Sequence, residues 1–128
     1  MEKVLAIFEK TIYLSFEPND PHLLHVGFGV VSSPVHVDVL LREAAVNYAV
    51  KAQHGVEAKL LGQPLVELET SPAKVMELLT KNKSSVYVVE EDLKARGLSK
   101  ADLIDAAKVI PEAETAQLVE QHDATFVW

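Results

Sequence analysis

The chain has 128 residues, 48% of them apolar, with only five glycines and six prolines, so it reads as one folded domain with a core of its own and not as a disordered segment. A formal charge of −7 and a pI near 5.1 leave no positive footprint for phosphates, and nucleic acid is not expected as a direct partner. There is no cysteine, which excludes disulfides, thiolate metal sites, iron–sulfur clusters and cysteine nucleophiles together.

The opening segment MEKVLAIFEK has too short an apolar run for a signal peptide, and no stretch approaches the roughly 18 apolar residues of a membrane span. No membrane association and a cytoplasmic location are the expectation. Val4 to Phe8 (VLAIF) is a continuous apolar run that suits a strand covered on both faces. Residues 11–33 mix aromatics, two prolines, His22, His25, Gly27 and Gly29, and read as a long loop with a hairpin or short strand. Its apolar groups, among them Ile12, Tyr13, Leu14, Phe16, Leu23 and Leu24, make it too apolar for a solvated linker. Such a loop covers a site or an interface, or packs on its own core.

Ser33–Pro34 suits a cap and first helical position. Val37, Leu40, Leu41, Ala44, Ala45, Tyr48, Ala49 and Ala52 recur at helical spacing, which predicts one amphipathic helix ended by Gly55, with Asp38 on its solvent face. Alternation in VEAKLL (56–61) predicts a strand. Ser71–Pro72 opens a second helix with Val75, Met76, Leu78 and Leu79 inward. VYVV (86–89) is a strand, followed by a short helix over 91–96. Ser99 and Asp102 make a capping-box pattern, with Leu98 able to staple to Leu103, and open a further short helix. KVIP is a strand cut by Pro111, EAETAQLVEQH a helix, and ATFVW the last strand. Strands alternating with helices predict an α/β fold: a mostly parallel sheet with helices on both faces.

No phosphate loop or dinucleotide fingerprint is present, and GFG (27–29) is better read as a turn or close backbone approach. Of the five histidines, His22 and His25 lie three apart and His36 falls at the start of the first helix. Imidazoles so grouped can bind zinc or move protons near neutral pH. Their spacing matches no metal motif, so loop and surface histidines are expected, with no metal and no cofactor. The acids Glu90, Glu91 and Asp92 can split their pKa values and share acid–base work. The simpler reading is that they complement a helix dipole. Ser84 and Ser85 precede their strand, where a nucleophile elbow places serine after it.

The run VYVVEEDLKARGLSKADLIDAAKVIP, followed by a helix and ATFVW, resembles the DsrE/DsrF/DsrH-like family, the sulfur-relay group that includes the Tus subunits. The likeness covers residues 37–128 and, more loosely, the first strand. It implies a single three-layer α/β domain over 1–128 with a mostly parallel five-stranded sheet, and an atypical loop insertion at about 11–33. It implies assembly as a homo-oligomer or with related subunits, as dimer, trimer or hexamer. In active members a cysteine at the end of the strand before the short helix carries a persulfide, which passes to partner proteins in tRNA thiolation or sulfur oxidation. Val89 stands at that place, and valine holds no persulfide. The resemblance therefore implies a non-catalytic oligomeric protein, a structural or partner- or small-ligand-binding subunit with a sulfur-carrier protein among its partners. A parallel sheet presents its ligand crevice at the carboxyl ends of its strands, from which the 11–33 loop leaves. Tyr13, His22, His25, His36, Val89, Glu90 and Glu91 are the candidate ligand or interface residues. The alternative is a small cytoplasmic enzyme, with or without a metal, in which His22, His25 or His36 faces Glu90 or Glu91 across a cleft.

Overall fold

A computed structural model describes residues 2–10, 35–52, 58–60, 63–66 and 72–127. The 11–33 loop, with Tyr13, His22 and His25, lies outside the described residues, as do His54 and Gly55. Seven strands are described: β1 (Lys3–Phe8), β2 (His36–Leu41), β3 (Ala58–Leu60), β4 (Gln63–Val66), β5 (Val86–Val89), β6 (Ala107–Ile110) and β7 (Ala124–Val127). Five of them form one sheet in the order β6-β5-β2-β1-β7, with every neighbouring pair parallel. The expected five-stranded parallel sheet is present, but one of its strands is not the expected one.

The helix predicted from 34 onward is replaced over His36–Leu41 by β2, the middle strand of the sheet, and over Glu43–Ala49 by a 3-10 helix. β2 pairs with β1 from Lys3↔His36 to Phe8↔Leu41 and with β5 from Val39↔Val86 to Leu41↔Val88. A strand buried on both faces needs no alternation, so its apolar run fits a helical stripe equally well. The β-branched Val37 and Val39, stiff at χ1 and suited to a pleated surface, are the local features that favour the strand. The segment read as a strand at 56–61 is a strand over Ala58–Leu60, but it pairs antiparallel with β4 in a separate two-stranded sheet.

The described α-helices are α1 (Pro72–Lys81), α2 (Glu90–Ala95) and α3 (Thr115–Glu120). In α1, Val75, Met76 and Leu79 are buried as expected, whereas Leu78 is 46% exposed. At roughly 100° per residue, Leu78 falls off the arc shared by the other three. α2 ends in a Schellman arrangement: Gly97 has φ 68°, its N–H donates to Lys94 O at 3.1 Å, and Leu98 N–H donates to Leu93 O at 2.9 Å. The capping box of Ser99 and Asp102 forms, yet it opens only a 3-10 turn, Lys100–Asp102. The chain is drawn out of a helical path by a bridge between Leu103 and Val50 and by the bond from Ile104 N–H to Ala49 O at 2.9 Å.

Side chains alternate across the sheet. Ala6, Phe8, Val39, Leu41, Val86, Val88 and Ala107 join the larger core cluster with the 3-10 helix, α1 and α2. Leu5, Ile7, Leu40 and Val89 form a smaller cluster closed by Leu118 of α3. This division follows from handedness. β2, β5 and β6 advance in one direction, so right-handed connections between them lie on one face, and the return from β6 to β7 crosses the other. Among the described residues no helix is long and apolar enough to cross a membrane.

The two neighbouring leucines of α1 separate clearly in their expected cost. Leu79→Ala should destabilise by about 2–5 kcal/mol and Leu78→Ala by less than about 1 kcal/mol, measured by urea unfolding. Nothing lies within 4 Å of a Cβ built on Gly97, so Gly97→Ala should cost about 1 kcal/mol from backbone strain alone.

Candidate functional site at the carboxyl edge of the sheet

The parallel arrangement brings the ends of β1, β2, β5 and β6 to one edge, and with them Glu9, Arg42, Glu90 and Glu112. Arg42 extends the ladder by donating its N–H to Phe8 O at 3.0 Å. Its guanidinium reaches Glu112 Oε1 from Nη2 at 3.4 Å, and its Nε is 4.0 Å from Glu9 Oε1. A single arginine thus ties the ends of three strands, with three-quarters of its side chain covered.

The three acids that open α2 each have a separate partner. Glu90 pairs with Lys94 one turn on at 3.4 Å, a contact of small worth at this exposure. Glu91 accepts the backbone N–H of Glu112 on both carboxylate oxygens, at 2.9 and 3.1 Å, and so fixes the loop after β6. Asp92 accepts the N–H of Glu43 at 2.8 Å. Glu43 has φ 51°, a left-handed conformation costly for a residue with a Cβ, and this bond holds it there. The acids therefore complement the start of a helix, as the simpler reading has it, and also anchor two neighbouring loops.

Val89 is the last residue of β5, but its side chain does not open onto the edge. It is 1% exposed and packs with Leu5, Ile7, Leu40 and Leu118 under α3. Beside this cluster, a cleft of about 130 Å³ lies between the strands and α3, lined by Tyr87, Ile110, Glu114, Gln117, Leu118 and Gln121.

His36 sits at the opposite end of the sheet from Glu90 and Glu91, at the start of β2 and not of a helix. The residues it meets were not singled out by the sequence. Its Nε2 is 2.8 Å from Asp38 Oδ1, and His122 Nε2 is 2.7 Å from Asp38 Oδ2. Ser85 N–H donates to Asp38 Oδ1 at 2.8 Å. Burial of Asp38 works to raise its pKa, but the Ser85 N–H, the His122 hydrogen bond and the nearby His36 outweigh it and hold the carboxyl below its ordinary value. One signal for this cluster was in the sequence. An acid inside HVDVLL is conspicuous in a two-sided buried strand, and a helical reading of the same run turns it outward. Among the described residues no group of three or more histidine and carboxylate side chains is arranged to hold a metal ion.

A parallel α/β sheet with its strand ends gathered around the β5–α2 junction defines the class, and the family follows from the chain itself. Residues 60–125, just over half of it, match the family model described as DsrH like protein, and the chain belongs to that family. Among solved structures it is similar to the ychN protein from E. coli, with a TM-score of 0.75 and 19% identity over the whole of both chains. It is also similar to MTH1491, a protein of unknown function from Methanobacterium thermoautotrophicum, with a TM-score of 0.66 and 13% identity, again over the whole of both. At these identities the likeness is one of fold. No curated protein matches the chain.

Three outcomes follow from this geometry. A thiol introduced by Val89→Cys should react with a thiol reagent far more slowly in the native protein than in urea, and equal rates would mean that the position opens to solvent. Glu43→Gly should raise stability by about 0.5–1 kcal/mol by relieving the left-handed backbone. Asp38→Asn should cost about 3 kcal/mol at neutral pH in chemical denaturation, because two histidines and an N–H lose a carboxylate partner. The sign with pH is fixed by the lowered pKa: the carboxylate's contribution is complete above the ordinary value and is lost as pH falls through the lower folded one. The acid side of the stability curve should therefore be flatter in the variant.

Proposed function

We propose that this protein is a non-catalytic, oligomeric subunit of a sulfur-relay assembly in the cytoplasm, one that holds or docks its partners and carries no sulfur itself. The observation that carries this reading is the absence of any cysteine from the chain, with a core-packed valine at the place where the family resemblance puts the persulfide-bearing residue. A persulfide needs a thiolate to form on, and no other side chain supplies one.

Membership of the DsrH-like family supports a place beside related subunits or a second copy of the chain, as dimer, trimer or hexamer. The docking edge is the carboxyl edge of the sheet. Its described charges are mainly acidic, with Glu9 and Glu112 against Arg42 and with Glu91 and Asp92 holding the loops of Glu112 and Glu43. A sulfur-carrier protein that presents lysine and arginine around its own thiolate complements this rim and gains in rate of encounter more than in affinity.

The test separates carrying from docking. A cysteine-bearing relay protein charged with radiolabelled sulfur is mixed with this chain, and both are followed by native electrophoresis, by denaturing non-reducing electrophoresis and by light scattering. The two should migrate together in the native gel, the label should stay on the charged protein in the denaturing one, and this chain alone should scatter as an oligomer. Covalent label on this chain, or a strict monomer that binds no relay protein, would contradict the reading.

A further inference from the structure

His122 lies in the turn between α3 and β7 with its side chain 1% exposed. Its Nδ1 is 2.7 Å from the carbonyl oxygen of Leu118, and its Nε2 is 2.7 Å from Asp38 Oδ2. A carbonyl and an ionised carboxylate both accept hydrogen bonds and donate none. A neutral imidazole offers one N–H and one lone pair, so one of these two contacts would set lone pair against lone pair. Both are satisfied when the ring carries two protons and Asp38 is ionised. The other partners of Asp38 agree with that state: Ser85 N–H and His36 Nε2 both approach Oδ1 at 2.8 Å, as they would an accepting oxygen.

We propose that His122 and Asp38 form a proton-operated clasp that holds the α3–β7 unit on the sheet while the His122 ring carries both protons, and loosens when it gives one up. The clasp spans the structure at a point where little else does. α3 has six residues and contributes Leu118 as its buried side chain. Among the described residues β7 is an edge strand, paired with β1 from Val4↔Ala124 to Ile7↔Val127. Among the described residues, the charged groups next to the clasp in the chain or on Ser85 have partners of their own. Asp123, next in the chain, accepts Lys3 N–H at 2.8 Å and donates its own N–H to Lys3 O at 2.8 Å. Lys108 of β6 donates to Ser85 Oγ at 3.0 Å. When the ring loses a proton it keeps the N–H that meets the carboxylate, so the ion pair with Asp38 becomes a bond from a neutral donor, the freed lone pair faces the Leu118 carbonyl in a buried setting, and the hold of the turn on β2 weakens. The edge of β1 and the cluster of Leu5, Ile7, Leu40 and Val89 are then uncovered.

Native-state hydrogen exchange at about pH 5.5 and about pH 8.5 brackets the range in which histidines titrate. After correction for intrinsic rates, the amides of α3 and β7 should lose about tenfold or more of their protection at the higher pH, while those of β5 and β6 keep theirs. His122→Gln should abolish this difference. His36→Gln should retain it, since that side chain is 25% exposed and its ring makes no second described contact of this kind. Equal protection at both pH values, a difference that persists in His122→Gln, or one that vanishes in His36→Gln would each overturn the proposal. Should His122→Gln fail to fold, the ring 15N shifts of His122 in the native protein decide. Conversion from two protons to one over the same range as the loss of protection supports the clasp, and an unchanged ring state overturns it.

Discussion

A carboxylate in the middle strand of a doubly covered sheet is the constraint around which this structure is arranged. Asp38 is 3% exposed and lies on β2, between β1 and β5, on the face closed by α3. An unpaired charge there would cost several kcal/mol in lost solvation. It is met by a backbone N–H from the start of β5 and by histidines from β2 itself and from the turn before β7. Each of these bonds fixes a relation the sheet also needs. The Ser85 bond aligns β5 with β2, and the His122 bond seats the last helix–strand unit. Without these partners the same acid would act against the strand pairing it now reinforces.

At the carboxyl edge the charged groups act differently, because they are closer to water. Arg42 links strand ends, Glu91 and Asp92 hold loop N–H groups, and Glu90 pairs within its own helix. Carboxylates committed to backbone N–H groups are positioning devices. This arrangement is coherent with a docking edge, where shape and charge are held steady for a partner. The valine at the end of β5 adds to the core and not to the rim.

Much of the fold was legible in the chain. VLAIF, VYVV and KVIP are short apolar runs bounded by charge or proline, and all three are strands. Pro72 and Gly97 mark a helix start and a helix end through fixed or left-handed backbone angles. The segment 36–49 reads as a helix because a buried strand followed by a 3-10 helix leaves the same apolar spacing as one amphipathic helix. What separates them is pairing with residues far away in sequence, which no local window contains. The same ambiguity hides the Asp38 cluster: His36 and His122 are 86 positions apart, and only the parallel register of β1, β2 and β7 brings them onto one carboxylate. The separate roles of Glu90, Glu91 and Asp92 were likewise out of reach, since they depend on which loops the sheet places beside α2.

The ionised state of Asp38 within its ring of donors is the point on which the fold and the clasp both rest. Its titration can be followed directly from the side-chain carboxyl 13C shift across acid pH. The account predicts a midpoint below that of an aspartate in water, with the carboxylate charged at neutral pH. A midpoint above that value, with Asp38 protonated as the protein approaches neutrality, would contradict it.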